Sequence, residues 1–205
     1  LTKNFKKSCI YQKKVVPLQR IQKKGIIMTI IFSNFEDVDT LILTKLWEKF
    51  NNPIVVEVCR DTENYEDVVN QAIINETETL IFCGHGTKYG LLHPNLFSGE
   101  YLLHENNVSL IHAKRVIGIW CHASDFAITH NLSGFYTGMF ISNVFESIEN
   151  SIYGCSQELI TKRESEFVKI LSDLIINNTP MEEWLQCFSI TESLTEFNYK
   201  NLKII

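Results

Sequence analysis

From residue 26 onward, short apolar runs alternate with stretches of helical periodicity, and that alternation leaves the chain few folds to choose from. Residues 26–32, 53–58, 79–83 and 115–120 are runs of the length and apolarity of strands buried on both faces. Between the first three lie two segments of helical spacing. One carries Val38, Leu41, Ile42, Leu46 and Phe50 on one face, the other Tyr65, Val68, Val69, Ala72 and Ile73. A β-α-β-α-β order demands right-handed crossovers and a parallel sheet. The expected architecture is therefore an α/β fold, a doubly wound and mostly parallel sheet of order 2-1-3-4. Further strands lie outside it, residues 138–142 the fifth among them, and helices follow at the C-terminus.

Local signals refine this layout. Ser33 and Glu36 have the S-x-x-E spacing of a capping box ahead of the first helix. Residues 91–111 alternate apolar and polar side chains around Pro94, Gly99 and Asn106-Asn107, which reads as a hairpin or irregular strands beside the fourth strand. Leu159, Ile160, Phe167, Ile170, Leu171 and Leu174 mark one long amphipathic helix. Thr179-Pro180-Met181-Glu182 starts another, with a cap and a proline at its first position.

Charge divides the chain unevenly. The net charge is −5 over 205 residues, yet residues 1–27 hold eight basic side chains and no acidic one. The remainder, 28–205, is acidic and forms the expected α/β domain. The first segment is read as a basic leader, disordered or foreign to the native protein; it lacks the apolar core of a secretion signal. An acidic body argues against a grip on nucleic-acid phosphates, and no apolar run is long enough to span a membrane. The six cysteines are scattered, without a CxxC pair, which points to a reducing compartment and a cytoplasmic location rather than a disulfide scaffold.

Two strands end in reactive residues. The third runs Leu80-Ile81-Phe82-Cys83-Gly84-His85-Gly86, and the fourth Val116-Ile117-Gly118-Ile119-Trp120-Cys121-His122. Open α/β sheets keep their sites at the C-terminal strand edge, and in a 2-1-3-4 order these two strands are neighbours. His85 and Cys121 are then the candidate acid/base and nucleophile of a cysteine-dependent reaction. A tetrahedral intermediate needs amide donors for its oxyanion, and the Gly86 and Cys121 N–H groups are the candidates. An adjacent imidazole or helix N-terminus is expected to lower the Cys121 thiol pKa. Cys83 reads as strand core and His122 as structural. A zinc site built on Cys83, His85, Cys121 and His122 matches no common ligand spacing, so neither metal nor cofactor is expected.

In these motifs the chain resembles the caspase-like cysteine peptidases, the group of caspases, metacaspases, gingipains, separases and clostripain-like enzymes. They share an apolar strand ending in His-Gly and a later one ending in the nucleophilic Cys. Cys121-His122-Ala123-Ser124 is closest to the Cys-His-Ser-Gly of metacaspases. The resemblance spans roughly residues 26–142 and implies an endopeptidase acting on peptides or proteins through a Cys121 acyl-enzyme. Metacaspases place an Asp two residues before the Cys to receive a basic side chain; here that position is Ile119, so primary specificity stays open. Two other readings stand beside it. One is the same fold kept as an inactive interaction or sensor module. The other is a flavodoxin-like domain, for which Ser33-Asn34-Phe35 supplies neither a glycine-rich turn nor paired acids.

Overall fold

The computed structural model describes residues 28–205; the segment read as a basic leader, residues 1–27, lies outside them, with the first two residues of the first apolar run. A six-stranded sheet forms the centre. Its strands are β1 (Met28–Ser33), β2 (Ile54–Val58), β3 (Thr79–Cys83), β7 (Arg115–Ile119), β8 (Phe135–Tyr136) and β9 (Lys203–Ile204), in the order β2-β1-β3-β7-β8-β9. All neighbours are parallel except β8 and β9. The first four strands of the chain's apolar alternation thus take the expected order. A second sheet of three short antiparallel strands, β4 (Gly86–Thr87), β5 (Gly90–Leu92) and β6 (Tyr101–Leu103), fills the interval between β3 and β7.

The central strands are continuous apolar runs because both of their faces are covered. Ile30, Phe32, Ile81, Cys83, Ile117 and Ile119 point to one side. They pack there against Phe167, Leu171 and Ile175 of the helix α5 (Gln157–Ile176) and against Trp184 and Phe188. Ile31, Leu80, Phe82, Val116 and Trp120 point to the other. There they meet Val69 and Ile73 of α2 (Tyr65–Asn75) and Phe126 of α3 (Ala123–Thr129). Each such side chain, taken fully from water, contributes about 1.5–3 kcal/mol. β2 is the edge strand, so Ile54 and Val55 stay exposed.

Local structure departs from the sequence reading in four places. The Ser33–Glu36 capping box does not form. Ser33 is the last residue of β1 and donates its hydroxyl to Leu92 O at 2.6 Å, while Glu36 has a left-handed φ of 59°. Asp37 caps α1 (Val38–Leu41) instead, accepting from Thr40 N at 2.8 Å. The helix expected to reach Phe50 then tightens into a 3₁₀ segment, Ile42–Leu46. At three residues per turn the apolar stripe cannot stay on one face, which buries Ile42 and Leu46 and leaves Val38 and Leu41 in solvent.

The fifth strand is Phe135–Tyr136, ahead of the expected 138–142. Both residues are fully buried, and Gly134 enters with φ 153° so close to Val116 O that a Cβ would sit 2.2 Å from it. Residues 138–142 instead run across the sheet edge and are held by side chains and loops. Gly138 O accepts from His122 N, and Asn198 Oδ1 accepts from Ile141 N. After Pro180 the chain forms a 3₁₀ segment, Met181–Cys187, with no side-chain cap from Thr179. The long helix α5 forms as its periodicity predicts. It is followed by α6 (Ser193–Lys200), whose Glu192–Thr195 pair makes a capping box. One more helix, α4 (Val144–Glu149), precedes α5. Among the described residues no helix is long and apolar enough to cross a membrane.

Candidate active site

Strand register places His85 opposite Cys121. β3 and β7 pair in parallel with a constant offset, from Thr79 with Arg115 to Cys83 with Ile119. The ladder continues one step further, Gly84 N donating to Ile119 O at 3.1 Å. His85 and Cys121 are each the second residue beyond the last paired rung, on strands spaced about 4.8 Å apart. Both side chains line a single recess at this edge, of about 50 Å³, with Asp39, Thr40, Gly84, Phe140, Ser142 and Glu164. Gly84 is obligatory here: φ is 144°, and a Cβ would lie 2.7 Å from Ser33 Cβ.

His85 is held on two sides. Its Nε2 lies 2.8 Å from Asp37 Oδ2, and its ring meets Phe35 edge-on at 4.7 Å. Asp37 therefore does two jobs, with Oδ1 capping α1 and Oδ2 orienting the imidazole. Burial pushes the Asp37 carboxyl upward, but the Thr40 hydroxyl and amide together with His85 outweigh it and hold it below the usual range. With Nε2–H committed to a carboxylate, Nδ1 is the nitrogen left to exchange a proton. In the sequence alone Asp37 looks like no more than a favourable charge in a first helical turn. An acid following a strand whose neighbour ends in His was the available signal.

Cys121 follows β7 and precedes α3, where His122 turns the chain with φ 66°. Its Sγ is 3.6 Å from Phe140 O, so the thiol donates to that carbonyl. The expected lowering of the thiol pKa is not found. Burial, followed by the negative charges of Glu146 and Asp39, pushes it up to about 11. The short helix behind Cys121 does not offset desolvation and two carboxylates. His122 turns away and bonds Asp125 Oδ2 through Nδ1 at 2.9 Å. Asp125 thus pairs with a ring nitrogen three residues back. Cys83 is fully buried, and burial raises its thiol pKa.

Gly86 opens β4. His85 O accepts from Leu92 N at 2.9 Å, so by strand alternation the next amide, that of Gly86, faces away from the hairpin partner. A Cβ on Gly86 would lie 2.1 Å from Trp120 Cδ1. Trp120 in turn donates Nε1–H to Thr87 O at 3.1 Å, clamping the hairpin beside the residue that precedes Cys121. Its own amide donates to Thr137 Oγ1. The amide of His122 goes to Gly138 O and that of Ser124 to Thr137 O.

The sequence did not anticipate the acidic lining. Asp39 enters from α1, Ser142 from the loop before α4 and Glu164 from α5, while Glu146 of α4 bonds Ser142. Among the described residues no group of three or more His, Cys, Asp or Glu side chains is placed to hold a metal ion. Comparison with family models, characterised proteins and solved structures yields no match, so this geometry is read on its own terms.

Proposed function

We propose that the chain is a caspase-like cysteine endopeptidase with Cys121 as nucleophile, His85 as acid/base and Asp37 as the residue that orients His85. The observation that carries this reading is the shared register of His85 and Cys121 on adjacent parallel strands, with His85 already paired to Asp37. The Cys121 S–H proton passes to His85 as sulfur attacks the scissile carbonyl, forming the C–S bond. The Gly86 and Cys121 amides face the developing oxyanion. Collapse of the intermediate breaks the C–N bond, and the imidazolium protonates the departing amine. Water then adds to the thioester, giving its proton to His85; the C–S bond breaks, and Cys121 recovers a proton as the carboxylate product leaves. No cofactor enters this cycle, and the substrate is a peptide or protein.

The thiol starts protonated, so general-base removal by His85 is needed at the moment of attack rather than a standing thiolate. The test is cleavage of a mixed peptide library followed by mass spectrometry. Cleavage lost in both Cys121→Ala and His85→Ala supports the reading. No cleavage, together with no labelling of Cys121 by peptidyl acyloxymethyl ketones, overturns it. The inactive-module reading is favoured by one observation, the thiol bonded to Phe140 O and held neutral by its surroundings. It predicts that the second result is the one obtained.

A further inference from the structure

A second recess, of about 810 Å³, lies between the start of α2, the β4–β5 turn, β6 and α3. It shares no lining residue with the recess of His85 and Cys121, and its size is that of a pocket for a whole small molecule. Three tyrosines line it, each from a different element. Tyr65 comes from the first turn of α2, Tyr89 from the β4–β5 turn and Tyr101 from the start of β6. Charge in this recess is one-sided. Glu66, Glu100, Glu105 and Asp125 line it against a single lysine, Lys88.

The rings are fixed in place. Thr87 Oγ1 accepts from Tyr89 N at 3.1 Å and lies 3.4 Å from Tyr101 OH, so one hydroxyl ties two of the tyrosines to the hairpin. Tyr65 has the Glu100 carboxylate as partner of its hydroxyl, and the ring of His93 backs it at 4.2 Å between centroids. His93 is 4% exposed. Its Nδ1 accepts from Asn95 N, which leaves the ring proton on Nε2, and Nε2 has no acceptor. Burial lowers its pKa, so it brings no positive charge at neutral pH. An apolar side chain would avoid burying that unpaired donor. What the imidazole contributes is a flat face against Tyr65.

One cation already uses this aromatic surface. Lys88 Nζ stands over the Tyr89 ring, 5.2 Å from its centroid, within the range at which a ring quadrupole attracts positive charge. Two of the four carboxylates are meanwhile engaged, Glu100 by Tyr65 and Asp125 by His122 Nδ1 at 2.9 Å. A primary ammonium is strongly hydrated and seeks acceptors for three N–H donors. A quaternary ammonium has no N–H to satisfy, so ring faces inside a negative field suit it better.

We infer that this recess binds a methylated ammonium group between Tyr89 and Tyr101, with Tyr65 as the third wall and Lys88 as the internal cation it displaces. The group occurs both on free choline-type molecules and on trimethylated lysine side chains. The inference uses neither His85 nor Cys121 and is independent of the peptidase reading.

Amide NMR titration of the full chain tests it with two pairs of probes. One pair is choline and its neutral isostere 3,3-dimethylbutan-1-ol. The other is Ac-Ala-Ala-Lys-Ala amide with its lysine trimethylated or unmodified. The methylated cation should bind about 5- to 30-fold more tightly than its counterpart, the value of two exposed ring contacts. That preference in the choline pair alone identifies a free small molecule as the source, and in the peptide pair alone a modified lysine; either supports the inference. Tyr89→Leu should weaken binding about 2- to 5-fold and Tyr89→Phe should restore it, because the ring and not the hydroxyl makes the contact. Lys88→Gln should tighten binding by about the same factor, since it vacates the ring and removes a like charge. Tyr89 and Lys88 are both exposed, so these variants keep the fold. Equal binding within both pairs overturns the inference. Absence of binding, amide shifts confined to residues outside the recess, or an affinity that Tyr89→Leu leaves unchanged overturns it equally.

Discussion

Glu164→Gln is expected to stabilise the protein, and by an amount that grows with pH. Burial, with the charges of Asp39, Glu146 and Asp37, pushes the folded-state carboxyl from the ordinary 4.5 up to about 9. A carboxyl raised on folding keeps its proton in the native state while the unfolded chain releases it. Stability is then highest below pH 4.5, falls as pH rises through the window from 4.5 to about 9, and is flat above it. Each unit of that window costs about 1.4 kcal/mol, so by pH 7 the wild type has lost roughly 3 kcal/mol that a neutral glutamine of the same shape retains. For a chain of this size that corresponds to a difference in Tm of roughly 6–12 °C. Urea melts of wild type and variant at pH 5, 6, 7 and 8 give the gap directly, and it should widen steadily. A gap independent of pH means Glu164 is ionised in the folded state.

The same geometry sets five further outcomes. His85→Ala should lower kcat/KM by about 10²–10⁴, with thermal stability little changed because the ring is partly exposed. Asp37→Asn keeps the α1 cap, since asparagine caps as well as aspartate, but weakens the hold on His85; kcat should fall about 10-fold or more at nearly unchanged Tm. Asp37→Ala should lose about 1 kcal/mol in addition, visible in the same melts. Gly86→Ala drives a methyl into the Trp120 ring, and near-ultraviolet circular dichroism should report a displaced tryptophan together with lost activity. Finally, iodoacetamide should modify Cys121 slowly at pH 7 and faster as pH climbs toward about 11; rapid labelling at pH 6 would mean the thiolate is already formed at rest.

The sheet was legible because its strands are apolar on both faces, a pattern with few competing explanations. Strand order and the juxtaposition of His85 with Cys121 followed from that pattern and from crossover handedness. What escaped was set by tertiary context. Ser33 belongs to the end of β1, where its hydroxyl donates to Leu92 O, a partner 59 residues away that no local motif announces. The 138–142 run has the apolarity of a strand, yet pairing ends at Tyr136, and the run serves Cys121 and α6 instead. The burial of Glu164 was invisible for a different reason. On a helix rich in charged side chains one more glutamate looks like solvent-facing surface, and only the packing of α5 on the sheet reveals it as buried. The reversal of the expected Cys121 pKa has the same origin: burial raises it first, then Glu146 and Asp39, and all of these come from tertiary packing.

The parallel ladder between β3 and β7 also separates two things that evolution or an engineer could wish to change independently. The spacing of His85 and Cys121 is set by strand pairing and not by the length of chain joining them. Within that chain Leu96 and Phe97 stand in solvent, Phe97 93% exposed, and a Cβ at Gly99 would meet open space. A reporter peptide or a recognition module spliced between Phe97 and Gly99 should leave the spacing of these two residues untouched. Loop-closure cost rises only about 0.6 kcal/mol per doubling of length. The same position is therefore one where the chain can change in length without changing the strand pairing that fixes His85 and Cys121.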